Sequence, residues 1–193
     1  MSDIRIRLIA PSGYPHDPAA LGRGVERLRK AGCLVEGLDV LERADLRFAG
    51  SDAERAADIN TLASMAILPD VALVTRGGYG ASRLLPHLHY DALRERLADA
   101  STLLVGHSDF TALQLALYAR SGVRTFSGPL LADFGSAACT SETWRHFWNT
   151  ITSPASSASW SGTATADVDV QGPLWGGNLA VLCSLLGTPY FPQ

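Results

Sequence analysis

Short apolar runs alternate with stretches of helical spacing along most of this chain, and that alternation limits the fold more than any other feature. The runs at 4–10, 33–40, 71–75, 102–105 and 123–126 read as strands. Between them, 17–31, 52–66, 90–98 and 110–120 read as helices. Leu21, Val25 and Leu28 fall on one helical face, with Pro18 suited to the first turn and Gly32 to the stop. Ala56, Ile59, Ala63 and Ala66 mark a second such face, closed off by Pro69. Strands joined through helices imply right-handed crossovers, hence an α/β fold with a mostly parallel sheet and flanking helices. In such folds the site lies beyond the carboxyl ends of the strands.

The composition changes after Trp148, and from 150 to 169 Ser, Thr, Ala and Gly dominate with little periodicity. Order resumes at Gly172-Pro173-Leu174-Trp175 and continues into an apolar helix over 179–186, for which the sequence offers no later element to pack against. The expected organisation is an N-terminal α/β nucleophile domain over 1–149, a linker over 150–171, and the incomplete beginning of a C-terminal domain over 172–193.

An apolar fraction of 47% with 18% charged residues is that of a globular protein in water. No apolar run is long enough to cross a bilayer, which argues against a membrane partner. Charge alternates with apolar residues at the N-terminus, unlike a secretory signal, so a cytoplasmic location is expected. A net charge of −3 without basic clusters argues against nucleic acid as the partner. Cys33, Cys139 and Cys183 are odd in number and form no C-x-x-C pair, so buried free thiols are expected rather than disulfides or a metal site.

Three loops follow strands and are expected to meet at one edge of the sheet: Pro11-Ser12-Gly13, Arg76-Gly77-Gly78-Tyr79-Gly80 and Gly106-His107-Ser108-Asp109. In the last, an apolar strand stops at a glycine and a helical pattern begins just after a serine. Such a turn lifts one hydroxyl clear of the sheet. Ser108 is therefore a candidate nucleophile, although a serine here also suits a helix cap. An N–H from the Gly77-Gly78 turn and that of Asp109 would make a two-donor oxyanion hole. Phe110 occupies the place of the second glycine of a G-x-S-x-G elbow, which points away from ordinary α/β-hydrolases. Arg76 suits either a substrate carboxylate or a structural ion pair.

A base for Ser108 is harder to find. His107 is its neighbour, so the two side chains should diverge. His16, His87, His89 and His146 read as solvated, and Glu142 as a first-turn carboxylate of a helix. No complete triad can be assembled from these residues.

Taken with Ser127-Gly128-Pro129 and with Gly176-Gly177-Asn178-Leu179 followed by Gly187-Thr188-Pro189-Tyr190, the three loops resemble the LD-carboxypeptidases, serine peptidases that act on muropeptides. The resemblance implies a cytoplasmic, metal-free and cofactor-free hydrolase that removes terminal D-alanine from murein tetrapeptide, and a homodimer. By position it implies Ser108 as nucleophile, the N–H groups of Gly78 and Asp109 at the oxyanion, and Gly77, Tyr79, Arg76 and Ser12 as further oxyanion or substrate-binding residues. The family completes a Ser-Glu-His triad from beyond the Thr-Pro-Tyr block, so the chain is expected to be an incomplete form. The microcin C immunity peptidases share the resemblance, and a catalytically inactive muropeptide-binding module is the reading from a different class.

Overall fold

In the computed structural model, which describes residues 4–153, 155–157, 159, 162 and 169–193, the apolar runs pair as anticipated. The sheet contains β1 (Arg5–Ile9), β2 (Leu34–Glu36), β3 (Val71–Val74), β4 (Leu103–Gly106) and β5 (Thr125–Ser127), every neighbouring pair parallel, in the order β2-β1-β3-β4-β5. The helices are α1 (Pro18–Lys30), α2 (Asp52–Asn60), α3 (Tyr90–Leu97), α4 (Thr111–Ser121), α5 (Leu131–Phe134), α6 (Ser141–Thr152) and α7 (Leu179–Ser184).

Both faces of the sheet are covered, which is why β3 reads as an unbroken apolar run. Ala72 and Val74 join Ile9, Leu104, Ile59, Leu93 and Leu113 in one core cluster. Val71 and Leu73 turn the other way, to Ile6, Leu8, Leu21, Leu28, Leu131 and Phe147. The strand order reverses between β1 and β3, so the loops leaving these two strands part and open a crevice at their carboxyl ends. All three candidate loops leave strands at or beside this crevice.

Local chemistry explains where the elements start and stop. Asp17 caps α1 through Ala20 N, Pro18 opens it, and Gly32 follows with φ +88°. The second strand ends at Glu36, well short of residue 40, because Gly37 turns the chain at φ +74° into a 3-10 turn. The second helix ends at Asn60 and continues as a 3-10 turn, Thr61–Ser64, so Ala63 and Ala66 do not extend its buried face. There the Thr61 hydroxyl donates back to the Ala57 carbonyl.

The stretch 179–186 is shorter as a helix than expected, and it docks on an earlier element. Leu185 is buried and Val181, Leu182, Tyr190 and Phe191 pack on the core cluster that contains α4. Asn178 caps α7 by accepting from Val181 N. The linker expected over 150–171 falls partly outside the described residues, and α6 runs into its first positions as far as Thr152. The three cysteines are free, but Cys33 is buried whereas Cys139 is half-buried and Cys183 exposed.

Candidate active site

β4 stops at Gly106 because nothing larger fits: a Cβ there would lie 2.8 Å from both Val74 Cγ2 and Phe110 Cδ1. Phe110, the residue that departs from the hydrolase elbow, fills the space above that glycine and is fully buried. Two residues later Ser108 adopts φ +65°, a left-handed conformation costing an L-residue about 1–2 kcal/mol. It opens a 3-10 turn, Ser108–Phe110, that leads into α4. No side chain caps either element, so the cap reading of Ser108 falls. Ser108 is half-buried, and its hydroxyl has no hydrogen-bond partner among the described residues.

The Gly77-Gly78 loop lies directly against this serine. A Cβ on Gly77 would stand 2.7 Å from Ser108 Cβ and 2.8 Å from Ser108 Oγ, so only glycine permits the approach. Gly78 follows exposed at φ +130°. As the second residue of its turn, Asp109 has no intrahelical acceptor for its N–H.

Asp109 does more than its sequence position suggested. Its carboxylate is buried, accepting from Ser12 Oγ at 2.9 Å and from Ala81 N at 3.3 Å, so one side chain holds all three loops. Burial raises its pKa, while the bonds from Ser12 and Ala81 pull the other way. Ser12 is fully enclosed, and its hydroxyl positions Asp109.

Arg55, which the sequence reading passed over, is fully buried behind the crevice. It donates to the carbonyls of Pro11 at 2.6 Å, Gly80 at 3.1 Å and Gly50 at 3.1 Å, and pairs with Asp52. The first two bonds clamp the β1 loop to the β3 loop. A signal was available, since Arg55, Ile59 and Leu62 follow helical spacing and an arginine on an apolar face needs acceptors. Thr111 was missed as well. Its buried hydroxyl donates to the Ser108 carbonyl at 2.7 Å and accepts from Asn178 N at 2.9 Å, tying the Ser108 turn to the Gly177-Asn178 segment.

The rim is cationic and aromatic. Arg76 donates from Nη1 to the Tyr14 carbonyl at 2.7 Å and forms no ion pair among the described residues. Tyr79 is half exposed, edge-on to Phe48, with the Arg47 guanidinium 5.1 Å above its ring. His107 turns away from Ser108 to Asp133, Nε2 to Oδ2 at 2.9 Å. His16, His87 and His89 are exposed, and Glu142 faces Arg145 and His146 on α6. The described residues thus supply a strained hydroxyl, close-packed glycines and a braced turn, with no base bonded to Ser108.

Known proteins resemble this chain in sequence and in fold. Residues 6–128 match the LD-carboxypeptidase N-terminal domain. A protein of Streptomyces coelicolor named for carboxypeptidase activity is 36% identical over 193 residues, covering 96% of this chain and 60% of its own length. The crystal structure of muramoyltetrapeptide carboxypeptidase from Oxalobacter formigenes superposes with a TM-score of 0.85 at 38% identity, covering 98% of this chain and 62% of that one. A microcin self-immunity protein of Escherichia coli is 36% identical over 116 residues, 58% of this chain and 32% of its length. This chain therefore spans about 60% of the length of its first relatives.

Proposed function

Because the chain belongs to the LD-carboxypeptidase family, we propose that it carries the nucleophile and oxyanion donors of a serine carboxypeptidase acting on murein peptides. One observation supports this above the others: half-buried Ser108 is held at φ +65° with the Gly77 backbone against it and no hydrogen-bond partner for its hydroxyl among the described residues. Strain of this kind persists only where surrounding contacts enforce it. Here Thr111, Asp109 and the close-packed Gly106 do so.

In the proposed reaction Ser108 Oγ bonds to the carbonyl carbon at the L-centre of diaminopimelate and loses its proton to a base. The carbonyl oxygen takes the negative charge and faces the Gly78 and Asp109 N–H groups. The C–N bond then breaks, D-alanine leaves with a proton returned from the base, and water hydrolyses the Ser108 ester. No imidazole or carboxylate among the described residues bonds to Ser108 Oγ, so the base is assigned to that part of the relatives' length which this chain does not match. Arg76 and Tyr79, at the rim, are assigned to substrate. A cytoplasmic homodimer completes the proposal.

Titration with murein tetrapeptide, followed by the amide resonances of Gly78 and Asp109, tests the reading. Saturable shifts at both support it, and their absence overturns it. Tighter binding of an acyl sulfamoyl adenylate would favour the microcin-immunity reading, which the Escherichia coli relative motivates. Saturable peptide binding with no labelling of Ser108 by a serine-directed phosphonate would favour an inactive binding module.

A further inference from the structure

α5 is only four residues long, yet its neighbours pin it firmly. It sits on α1 with no room between: a Cβ on Gly24 would lie 2.5 Å from the Leu131 carbonyl oxygen, and one on Gly135, just past α5, would overlap the Ala20 carbonyl. Arg23 Nε donates to the Gly135 carbonyl at 2.9 Å and Arg27 Nη1 to that of Phe134 at 3.3 Å, so α1 also satisfies acceptors at the end of α5. Leu131 and Phe134 are buried in the core on that side of the sheet.

From this anchor two consecutive residues reach two loops of the site. Ala132 N donates to the Thr75 carbonyl at 3.0 Å, two positions before Gly77. Asp133 Oδ2 accepts from Leu130 N at 2.8 Å and from His107 Nε2 at 2.9 Å, and His107 immediately precedes Ser108. α5 therefore ties the Ser108 turn to the Gly77-Gly78 loop by a route separate from the bond between Ser12 and Asp109. The backbone link through Ala132 does not titrate, whereas the link through His107 does.

Other charged groups near the pair are turned elsewhere. Asp109 faces Ser12 and Ala81, Arg76 the Tyr14 carbonyl, Glu142 the side chains of Arg145 and His146, and Arg23 and Arg27 the carbonyls beyond and in α5. The thiol of Cys139 shares with His107 and Asp133 a cavity of about 340 Å³. Asp133 is thus the charged group that acts on the His107 ring.

We infer that His107 is a positioning residue for Ser108: through Asp133 and α5 it sets the Ser108 turn against the Gly77-Gly78 loop, more firmly when its ring is charged than when it is neutral. A charged ring gives Asp133 a charge-assisted bond, and a neutral ring leaves a weaker N–H donor in the same place. The bond to Asp133 raises the His107 pKa, which extends the firm state above the ordinary histidine range. Oxyanion donors act over a narrow range of distance, so small drift between turn and loop matters to them. The link stands on geometry, and its bearing on substrate rests on the peptidase reading.

Amide resonances followed from pH 5.5 to 8.5, with the His107 ring protons in the same spectra, test it. Gly77 and Gly78 are expected to shift with the midpoint of the His107 ring. His107→Gln keeps a neutral side-chain N–H for Asp133 and His107→Phe removes it, so neither should show that midpoint. Murein tetrapeptide should bind the unaltered chain about threefold tighter than His107→Phe at pH 5.5, by a smaller ratio at pH 8.5, and His107→Gln should fall between the two. Gly77 and Gly78 shifts that ignore the His107 midpoint would overturn the inference, as would an affinity ratio of one at both pH values. Failure of the unaltered chain to bind the peptide, with the shifts following the midpoint, would overturn the peptidase reading and leave the link standing.

Discussion

Ser12 Oγ donates a 2.9 Å hydrogen bond to Asp109 Oδ1, joining the loop after β1 to the turn after β4 across 97 positions of sequence. The bond is buried, and so is the carboxylate that receives it. Together with the bond from Ala81 N, it fixes the turn that carries Ser108 relative to the Gly77-Gly78 loop.

Ser12→Ala removes one donor from a buried acceptor and is expected to destabilise the protein by about 1–3 kcal/mol in urea denaturation. Burial already raises the Asp109 pKa, and losing the Ser12 bond raises it further. A carboxyl with a raised folded pKa contributes its stability below the unfolded value and loses it as pH rises through the folded one. The deficit of Ser12→Ala should therefore grow with pH across the acid range. A deficit independent of pH would show that Asp109 does not sense the hydroxyl.

Arg55 is a buried cation whose partners are mostly carbonyls, so removing it strands several acceptors together. Arg55→Met is expected to cost about 3–5 kcal/mol, since Asp52 also loses a partner. Arg55→Lys keeps the charge but not the fork, in which Nη1 serves Pro11 and Gly80, Nε serves Gly50 and Nη2 serves Asp52, and should recover only part of the loss. Full recovery with lysine would mean that charge alone matters there.

Gly77→Ala tests close approach without backbone strain, because Gly77 is not among the positive-φ residues. The added methyl would press on Ser108 Cβ and Oγ. Overpacking of this kind costs about 1–3 kcal/mol. Under the proposed reaction, binding of murein tetrapeptide should fall far more than the loss of stability would explain, since the methyl crowds the Ser108 hydroxyl. Retained affinity in a folded variant would remove Gly77 from the site.

The fold was legible because its signals are local and periodic. The β3 run, the Asp17-Pro18 start of α1 and the Asn178 start of α7 each act within a few residues. The Ser108 turn was legible for the same reason, being a strand stop, a serine and a helix start in one stretch. What holds the site together was not. Arg55 with Pro11, Ser12 with Asp109 and Thr111 with Asn178 are long-range pairs, set by the β2-β1-β3-β4-β5 order that brings distant loops together. That Ser12 turns inward to Asp109 was not legible either, because sequence shows which loop a hydroxyl belongs to but not which way it faces.

The pairing of His107 with Asp133 predicts a pH-dependent brace next to Ser108. The hydrogen bond to Asp133 raises the His107 pKa, more strongly than burial lowers it. Burial works against ionisation of Asp133, but the bonds from His107 and Leu130 N prevail and its pKa is lowered. The histidine contribution is present below its unfolded value and fades as pH rises through the folded one. The aspartate contribution is lost as pH falls through its own lowered value. The brace is thus strongest between about pH 4 and 6.5. Both groups are nearly half exposed, so screening should hold it below about 1 kcal/mol. His107→Phe should lower the melting temperature more at pH 5.5 than at pH 8.5, and equal shifts would rule the brace out.

Ser108 offers a direct measure of the strain stored at the turn. At φ +65° its Cβ is unfavourable, and a glycine would relieve about 1–2 kcal/mol. Glycine also loses more backbone entropy on folding, by about 0.5–1 kcal/mol. Ser108→Gly should therefore be more stable than Ser108→Ala by about 0.5–1 kcal/mol, because alanine keeps the Cβ and the strain. Both variants lack the hydroxyl and should resist labelling by a serine-directed phosphonate. Denaturation midpoints of the two, compared with the unaltered chain, separate the contribution of backbone strain from that of the side chain. If alanine is the more stable, the left-handed turn is not a strained one, and the argument that the fold holds Ser108 there against its preference fails.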